Sequence, residues 1–195
     1  GFATGPNAGQ EFLPYLRDEK LARPWAIPGT PGLRHRIGGL EKEDGTGDIS
    51  YEPDNHERMT QLRASKVAKI VEDIPALYVD DPDGDAEVLV LGWGSTYGTI
   101  LAAARRVRQS GRKVATAHLV HLNPMPANTG EVVHRYAKVL IPELNTGQLA
   151  MLIRSAHLVD ARTFSKVQGQ PIFAEELEDE ILKVMDGDRD KVMDG

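Results

Sequence analysis

The chain has 195 residues, 41% of them hydrophobic and 27% charged, a balance typical of a globular rather than a disordered protein. Its net charge of −6 excludes a general nucleic-acid binder, because phosphate recognition needs clustered Lys and Arg. With no cysteine it offers no thiolate to an iron–sulfur cluster or zinc site, and no apolar run approaches the roughly 20 residues of a membrane helix.

Residues 1–84 are rich in Gly, Pro, Asp and Glu and poor in periodic apolar windows. Pro24, Pro28 and Pro31, with Gly29 and Gly32, interrupt any helix and predict an ordered loop or extended arm. One helix is expected: Asp54 and Glu57 read as a D-x-x-E capping box, and Met59, Leu62, Val67, Ile70 and Val71 fall roughly on one face. The segment buries too little to be a domain by itself. A first residue other than Met points to a processed product or a fragment.

From residue 86 the pattern changes. A buried strand is expected over 88–91, then a helix over 96–110 with Ile100, Ala103, Ala104 and Val107 at helical spacing. Arg105, Arg106 and Arg108 suit the end of that helix, and Gly111 is a natural stop. A strand over 114–122, a short helix over 129–137 and a strand over 139–141 ended by Pro142 follow. Next come a helix over 147–156 with Leu149, Leu152, Ile153 and Ala156 inward, a strand over 158–164 and a closing helix over 174–185. Four rounds of alternation predict a three-layer αβα sandwich with a mostly parallel sheet over 86–186, preceded by an irregular arm with one helix. The tail, 187–195, contains Lys191-Val192-Met193-Asp194-Gly195, a copy of residues 183–187 too short to be a structural repeat.

The turn Gly92-Trp93-Gly94-Ser95-Thr96-Tyr97-Gly98 follows one strand and opens a helix. Its glycine spacing is one residue longer than the dinucleotide fingerprint, and the second strand ends His121-Leu122-Asn123-Pro124 without the required acid. It therefore reads as a tight strand-to-helix turn rather than a nicotinamide or flavin site. The free N–H groups of such a turn could still hold a phosphate, which makes Gly94 and Ser95 weak candidates for cofactor contact. Ser95 is not a hydrolase nucleophile: Trp93 stands where the elbow motif needs glycine, and His157 precedes Asp160.

His118 and His121, three apart on one expected strand, should face opposite ways and not share a metal. His134 has no partner at useful spacing. The Asp-rich turns at 44–48 and 81–85 lack the register of a calcium loop and read as solvated linkers. Acids from Glu175 to Glu180 suit the start of the last helix. The best local candidate is Pro142-Glu143-Leu144-Asn145-Thr146-Gly147-Gln148, at the carboxyl end of a strand, where open α/β sheets place ligands. There Asn145 or Thr146 would cap the following helix, and Glu143 could orient neighbouring N–H groups.

Several phrases, taken in order, resemble a known family. They are Arg23-Pro24-Trp25-Ala26-Ile27-Pro28-Gly29-Thr30-Pro31-Gly32, Gly38-Gly39-Leu40-Glu41-Lys42-Glu43-Asp44-Gly45, the 92–98 turn, His118-Leu119-Val120-His121-Leu122-Asn123-Pro124, residues 142–149 and Leu158-Val159-Asp160. Together they resemble the C-terminal part of the α subunit of a 2-oxoacid:ferredoxin oxidoreductase, most closely the 2-oxoglutarate branch. The resemblance implies that 1–84 is the trailing edge of a pyrimidine-binding domain with its linker, and 86–186 a transketolase C-terminal-like domain. It implies oxidative decarboxylation of a 2-oxoacid to an acyl-CoA with reduction of ferredoxin, in the cytoplasm. Thiamine diphosphate, Mg and an iron–sulfur cluster are then carried mainly by a β subunit. No catalytic residue carries over, because the family's 2-oxoacid loop lies upstream of these residues. Positioning and subunit contact are the expected roles. A non-catalytic assembly or regulatory module of the same fold is the alternative, and a free-standing nucleotide binder is the weakest reading.

Overall fold

The computed structural model describes residues 1–6 and 11–187, and the chain divides into two compact units, Gly1–Asp73 and Ile74–Gly195. In the first, two-residue strands β1 (Phe2–Ala3) and β2 (Trp25–Ala26) pair in parallel, and helix α1 (Pro53–Lys69) runs into a 3₁₀ turn, Ile70–Asp73. The rest of its described residues lie in turns, bends and isolated bridges, as the Pro and Gly content requires.

The expected capping box of α1 does not form. Pro53, whose fixed φ suits a first helical position, starts the helix after Glu52, which makes no side-chain cap bond. Asp54 therefore sits inside the first turn, where it complements the helix dipole. The apolar stripe is also mostly uncovered. Met59 alone is fully buried, while Val67 and Ile70 remain exposed.

Polar latches do the packing instead. Asn55 donates to the Lys42 carbonyl and accepts from Asp44 N–H, Arg58 pairs with Asp44, and Arg63 and His56 both bind Glu41. Hydrogen bonds from Arg63 and then His56 hold the Glu41 carboxyl at about 2, below its ordinary 4.5. Because the folded value is depressed, this contribution to stability is complete above about pH 4.5 and is lost as pH falls through about 2. Acid unfolding of the 1–73 unit, followed by circular dichroism, should therefore set in across that window. Glu41→Gln should flatten the dependence there, and an unchanged acid profile in that variant would refute the assignment.

The second unit is built on a five-stranded sheet. Its strands are β3 (Val79–Asp80), β4 (Val88–Trp93), β5 (Val114–Leu119), β6 (Lys138–Glu143) and β7 (Ala161–Ser165), in the order β3-β5-β4-β6-β7. All neighbours run parallel except β3, which pairs antiparallel with β5 at the edge. Among the described residues four helices accompany it: α2 (Tyr97–Gln109), α3 (Thr129–Arg135), α4 (Gln148–His157) and α5 (Ala174–Asp186).

Alternate strand residues point to opposite faces, and this sorts the core into two layers. Leu89, Leu91, Val139 and Ile141 pack with Val132 and Val133 of α3 and Leu149 and Ile153 of α4. Val88, Val90, Val114 and Leu140 pack with Ile100, Ala104 and Val107 of α2 and Leu177 and Ile181 of α5. The architecture is thus a three-layer αβα sandwich with a mostly parallel sheet, as the alternation predicts.

The differences from the sequence reading are local. The sheet takes in Val79–Asp80, from the segment read as arm, so the second unit begins well before residue 86. Arg108 explains why so short a strand holds, donating to the Asp80 carboxylate and carbonyl and to Val114 O. Upstream of it, Asn128 exchanges two hydrogen bonds with the Leu77 backbone. β6 runs through Pro142 instead of ending there, with Pro142 opposite Phe164. A proline is tolerated because β4 pairs only with Lys138–Leu140, so by position 142 one side of the strand has no ladder to break. β5 stops at Leu119, short of the expected 122. Leu158, expected to begin the fourth strand, has a φ of 54° and instead ends α4. The copied pentapeptide at 191–195 lies outside the described residues.

Candidate functional site

In the order β3-β5-β4-β6-β7, the crossover from β4 leads to β5 on one side, and the next leads back to β6 on the other. The winding thus reverses between β4 and β6, and beyond the carboxyl ends of such a pair the diverging crossovers leave a crevice. Here the crevice has a volume of about 250 Å³ and is lined by Trp93, Gly94, Ser95, Thr96, Leu144 and Asn145. Three of the four candidate residues, Gly94, Ser95 and Asn145, therefore meet in one place. The fourth, Glu143, is the last residue of β6 and is completely buried.

Glu143 is held by three donors. Its Oε1 accepts the Leu149 N–H at 2.8 Å and the Trp93 indole N–H at 3.3 Å, and its Oε2 accepts the Ala150 N–H at 3.2 Å. Asn145 Oδ1 accepts the N–H groups of Gly147 at 2.8 Å and Gln148 at 2.9 Å. The orphan donors at the start of α4 are thus taken up by two side chains from the preceding strand end. The negative charge that a helix N-terminus favours is already present in Glu143. A phosphate at this helix would have to displace it, so an anion reading here is confined to the Gly94–Ser95 side.

That side is shaped by close packing. Gly92, on β4, has no room for a side chain: an added Cβ would lie 2.2 Å from Ile100 Cδ1, 3.0 Å from Thr96 Oγ1 and 3.1 Å from His118 Nδ1. Gly94 has a φ of +58°, and the Thr96 hydroxyl donates to Trp93 O at 2.8 Å, bending the strand into a 3₁₀ turn before α2. Gly94 and Ser95 are exposed at the crevice mouth. Ser95 has no histidine or carboxylate bonded to it among the described residues, so no nucleophile is assembled here.

The histidines are more varied than the sequence suggests. His118 packs edge-to-face on Tyr97, 5.0 Å between centroids, and its Nδ1 is buried without a hydrogen-bond partner. Burial pushes its pKa down. His121 lies beyond the end of β5 and is exposed, so strand alternation does not govern the pair. His134 Nδ1 donates to Gly130 O, 2.7 Å away, and burial, followed by the neighbouring His134, pushes the His157 pKa down. No group of three His, Asp or Glu capable of holding a metal forms among the described residues.

The sequence reading missed Trp93 as a partner of Glu143 and Gly92 as the position of close approach. A glycine followed by Trp at a strand end is the available signal for both, but the partners they meet lie across the sheet.

No protein-family model matches the chain. It is 58% identical over 175 residues to the 2-oxoglutarate oxidoreductase subunit KorA of Mycobacterium tuberculosis, a match covering 89% of this chain and 26% of that protein. It is 32% identical over 200 residues to the α subunit of 2-oxoacid:ferredoxin oxidoreductase 1 of Aeropyrum pernix, covering 97% of this chain and 30% of that one. Among solved structures it resembles 2-oxoglutarate:ferredoxin oxidoreductase from Magnetococcus marinus, solved with 2-oxoglutarate, coenzyme A and succinyl-CoA bound. That likeness has a TM-score of 0.83 at 30% identity and covers 93% of this chain and 32% of the other. The chain thus spans between a quarter and a third of the length of these relatives. On these likenesses the chain matches part of the α subunits of 2-oxoacid:ferredoxin oxidoreductases.

Proposed function

We propose that the chain is the C-terminal segment of the α subunit of a thiamine-diphosphate-dependent 2-oxoglutarate:ferredoxin oxidoreductase, acting in the cytoplasm. The reaction converts the 2-oxoacid and CoA to acyl-CoA and CO2 while ferredoxin is reduced. On this reading the first unit is the trailing edge of the pyrimidine-binding domain and the second the transketolase C-terminal-like domain. The observation that carries the proposal is the 58% identity to a 2-oxoglutarate oxidoreductase subunit over nearly nine-tenths of the chain.

The segment's own contribution is positioning and contact with a β subunit. At its best-formed crevice the strong polar groups, Glu143 and Asn145, are engaged with backbone N–H groups of the chain itself. The donor set does not fit an iron–sulfur cluster, since there is no cysteine, nor a bound divalent cation among the described residues. These groups and the thiamine diphosphate are assigned to the β subunit.

A contact role also accounts for the apolar surface of the first unit. Trp25 is 74% exposed and Ile37 87% exposed, with Phe2, Ile27 and Leu40 also open. Phe2 and Trp25 are neighbours on the paired strands, and exposed apolar groups placed side by side suit a surface that a partner covers. Hydroxyl-radical footprinting read by mass spectrometry tests this, because the chain has only two tryptophans. Trp25 should oxidise readily in the isolated chain and several-fold more slowly in the assembled full-length α–β complex, with Trp93 little changed. Equal oxidation of Trp25 in both states would favour a self-contained assembly or regulatory module instead.

A further inference from the structure

The first unit contains a polar hollow of about 430 Å³, lined by residues of the Gly38–Lys42 stretch, by α1 and by Tyr15, Arg17 and Arg23. Five cations face it: Arg17, Arg23, Lys42, Arg63 and Lys66. One carboxylate lines it, Glu41, and that group is already bound by Arg63 at 3.0 Å and His56 at 2.8 Å. Asp44, nearby, is engaged by Arg58 at 2.8 Å. In a chain of net charge −6, this is a local excess of positive over negative charge, five cations to the one lining carboxylate.

Several of these donors are left without acceptors. Lys42 is 3% exposed, and its ammonium donates only to carbonyls, Leu40 O at 2.6 Å and Gly38 O at 3.1 Å. An ammonium has three protons, so one remains to be used. Arg17 Nε is buried with no hydrogen-bond partner, while its Nη1 donates to Leu21 O. Burial, first, and then the charge of Arg23 push the Arg17 pKa down, with Asp44 offsetting part of the effect. Arg23 lies over the Tyr15 ring, 4.1 Å from its centroid, with a single long bond to Pro14 O. Lys66 is exposed and has no partner among the described residues. Buried donors left unpaired are costly, and an anion would satisfy several at once.

We propose that this hollow binds a phosphate-bearing small molecule, with Arg17, Arg23, Lys42 and Lys66 as its contacts. A phosphate group carries nearly two negative charges on oxygens that diverge in three dimensions, matching donors that converge from several segments. A planar carboxylate is satisfied by one guanidinium fork and would leave most of these donors idle. The volume admits a pyrophosphate or the ester-linked part of a larger molecule. The assignment is independent of the proposed function, since it needs only the cation cluster.

Calorimetric titration of the full chain tests it with three probes: inorganic pyrophosphate, ADP as an organic pyrophosphate ester, and 2-oxoglutarate as a dicarboxylate. Pyrophosphate binding is expected, weakening as salt rises. Arg17→Gln and Lys66→Gln should each raise its Kd about tenfold or more, the loss of one charge-assisted contact. Lys66 is exposed, so its variant should fold normally, which circular dichroism checks. Tighter binding of ADP than of pyrophosphate would identify an ester as the ligand, and the reverse the free anion. Absence of pyrophosphate binding, a Kd unchanged in both variants, or tighter binding of 2-oxoglutarate would overturn the proposal.

Discussion

Glu143→Ala should destabilise the second unit by about 3 kcal/mol or more, the cost of leaving three buried donors without an acceptor. Three donors lose their acceptor at once: the Leu149 and Ala150 N–H groups and the Trp93 indole N–H. Each buried donor left unpaired costs about 1–3 kcal/mol, and the truncated side chain adds a cavity. Glu143→Gln retains one acceptor oxygen but turns an NH2 group toward another donor, so a smaller loss of about 1–3 kcal/mol is expected. Denaturant unfolding read by far-UV circular dichroism measures both. A loss below about 1 kcal/mol for the alanine variant would mean that water reaches these groups and that the strand end does not fasten the helix.

The second large effect is expected at Gly92. An added methyl would lie 2.2 Å from Ile100 Cδ1, inside any allowed contact, while Thr96 and His118 close off the other directions. Gly92→Ala should therefore cost about 1–3 kcal/mol by overpacking. The clash is with one named atom, so its removal should help. Ile100→Val, which deletes Cδ1, should cost about 0.5–1.5 kcal/mol alone and yet restore stability in the Gly92→Ala background. Strictly additive losses in the double variant would show that the strain lies elsewhere.

Most of the second unit was legible because its two signals agree. Continuous apolar runs such as 88–91 mark strands buried on both faces, and stripes such as Ile100, Ala103, Ala104 and Val107 mark one helix face. Strand β3 was not legible, because a two-residue edge strand has no periodicity and is fixed by Arg108 and Asn128 from elsewhere in the chain. Pro142 misled for a related reason: whether a proline ends a strand depends on where the neighbouring strand stops pairing, which sequence does not print. In the first unit the stripe on α1 promised a packed helix, but polar contacts to Glu41, Lys42 and Asp44 hold it.

At the crevice, position was legible and partnership was not. A strand end carrying Glu143 and Asn145 before a helix predicts side-chain contacts to backbone N–H groups, and the structure places them there. That Gly94 and Ser95 from another strand end line the same crevice follows from strand order, which only the fold reveals.

The proposed division of labour gives this segment position and contact and leaves the oxidoreductase chemistry to its partners. It is tested most directly by 2-oxoglutarate- and CoA-dependent reduction of an artificial electron acceptor, comparing the purified 195-residue chain with the full-length α subunit assembled with its β subunit. The assembled complex should turn over and the chain alone should not. Robust reduction by the chain alone would overturn that division, as would an assembled complex inert toward 2-oxoglutarate.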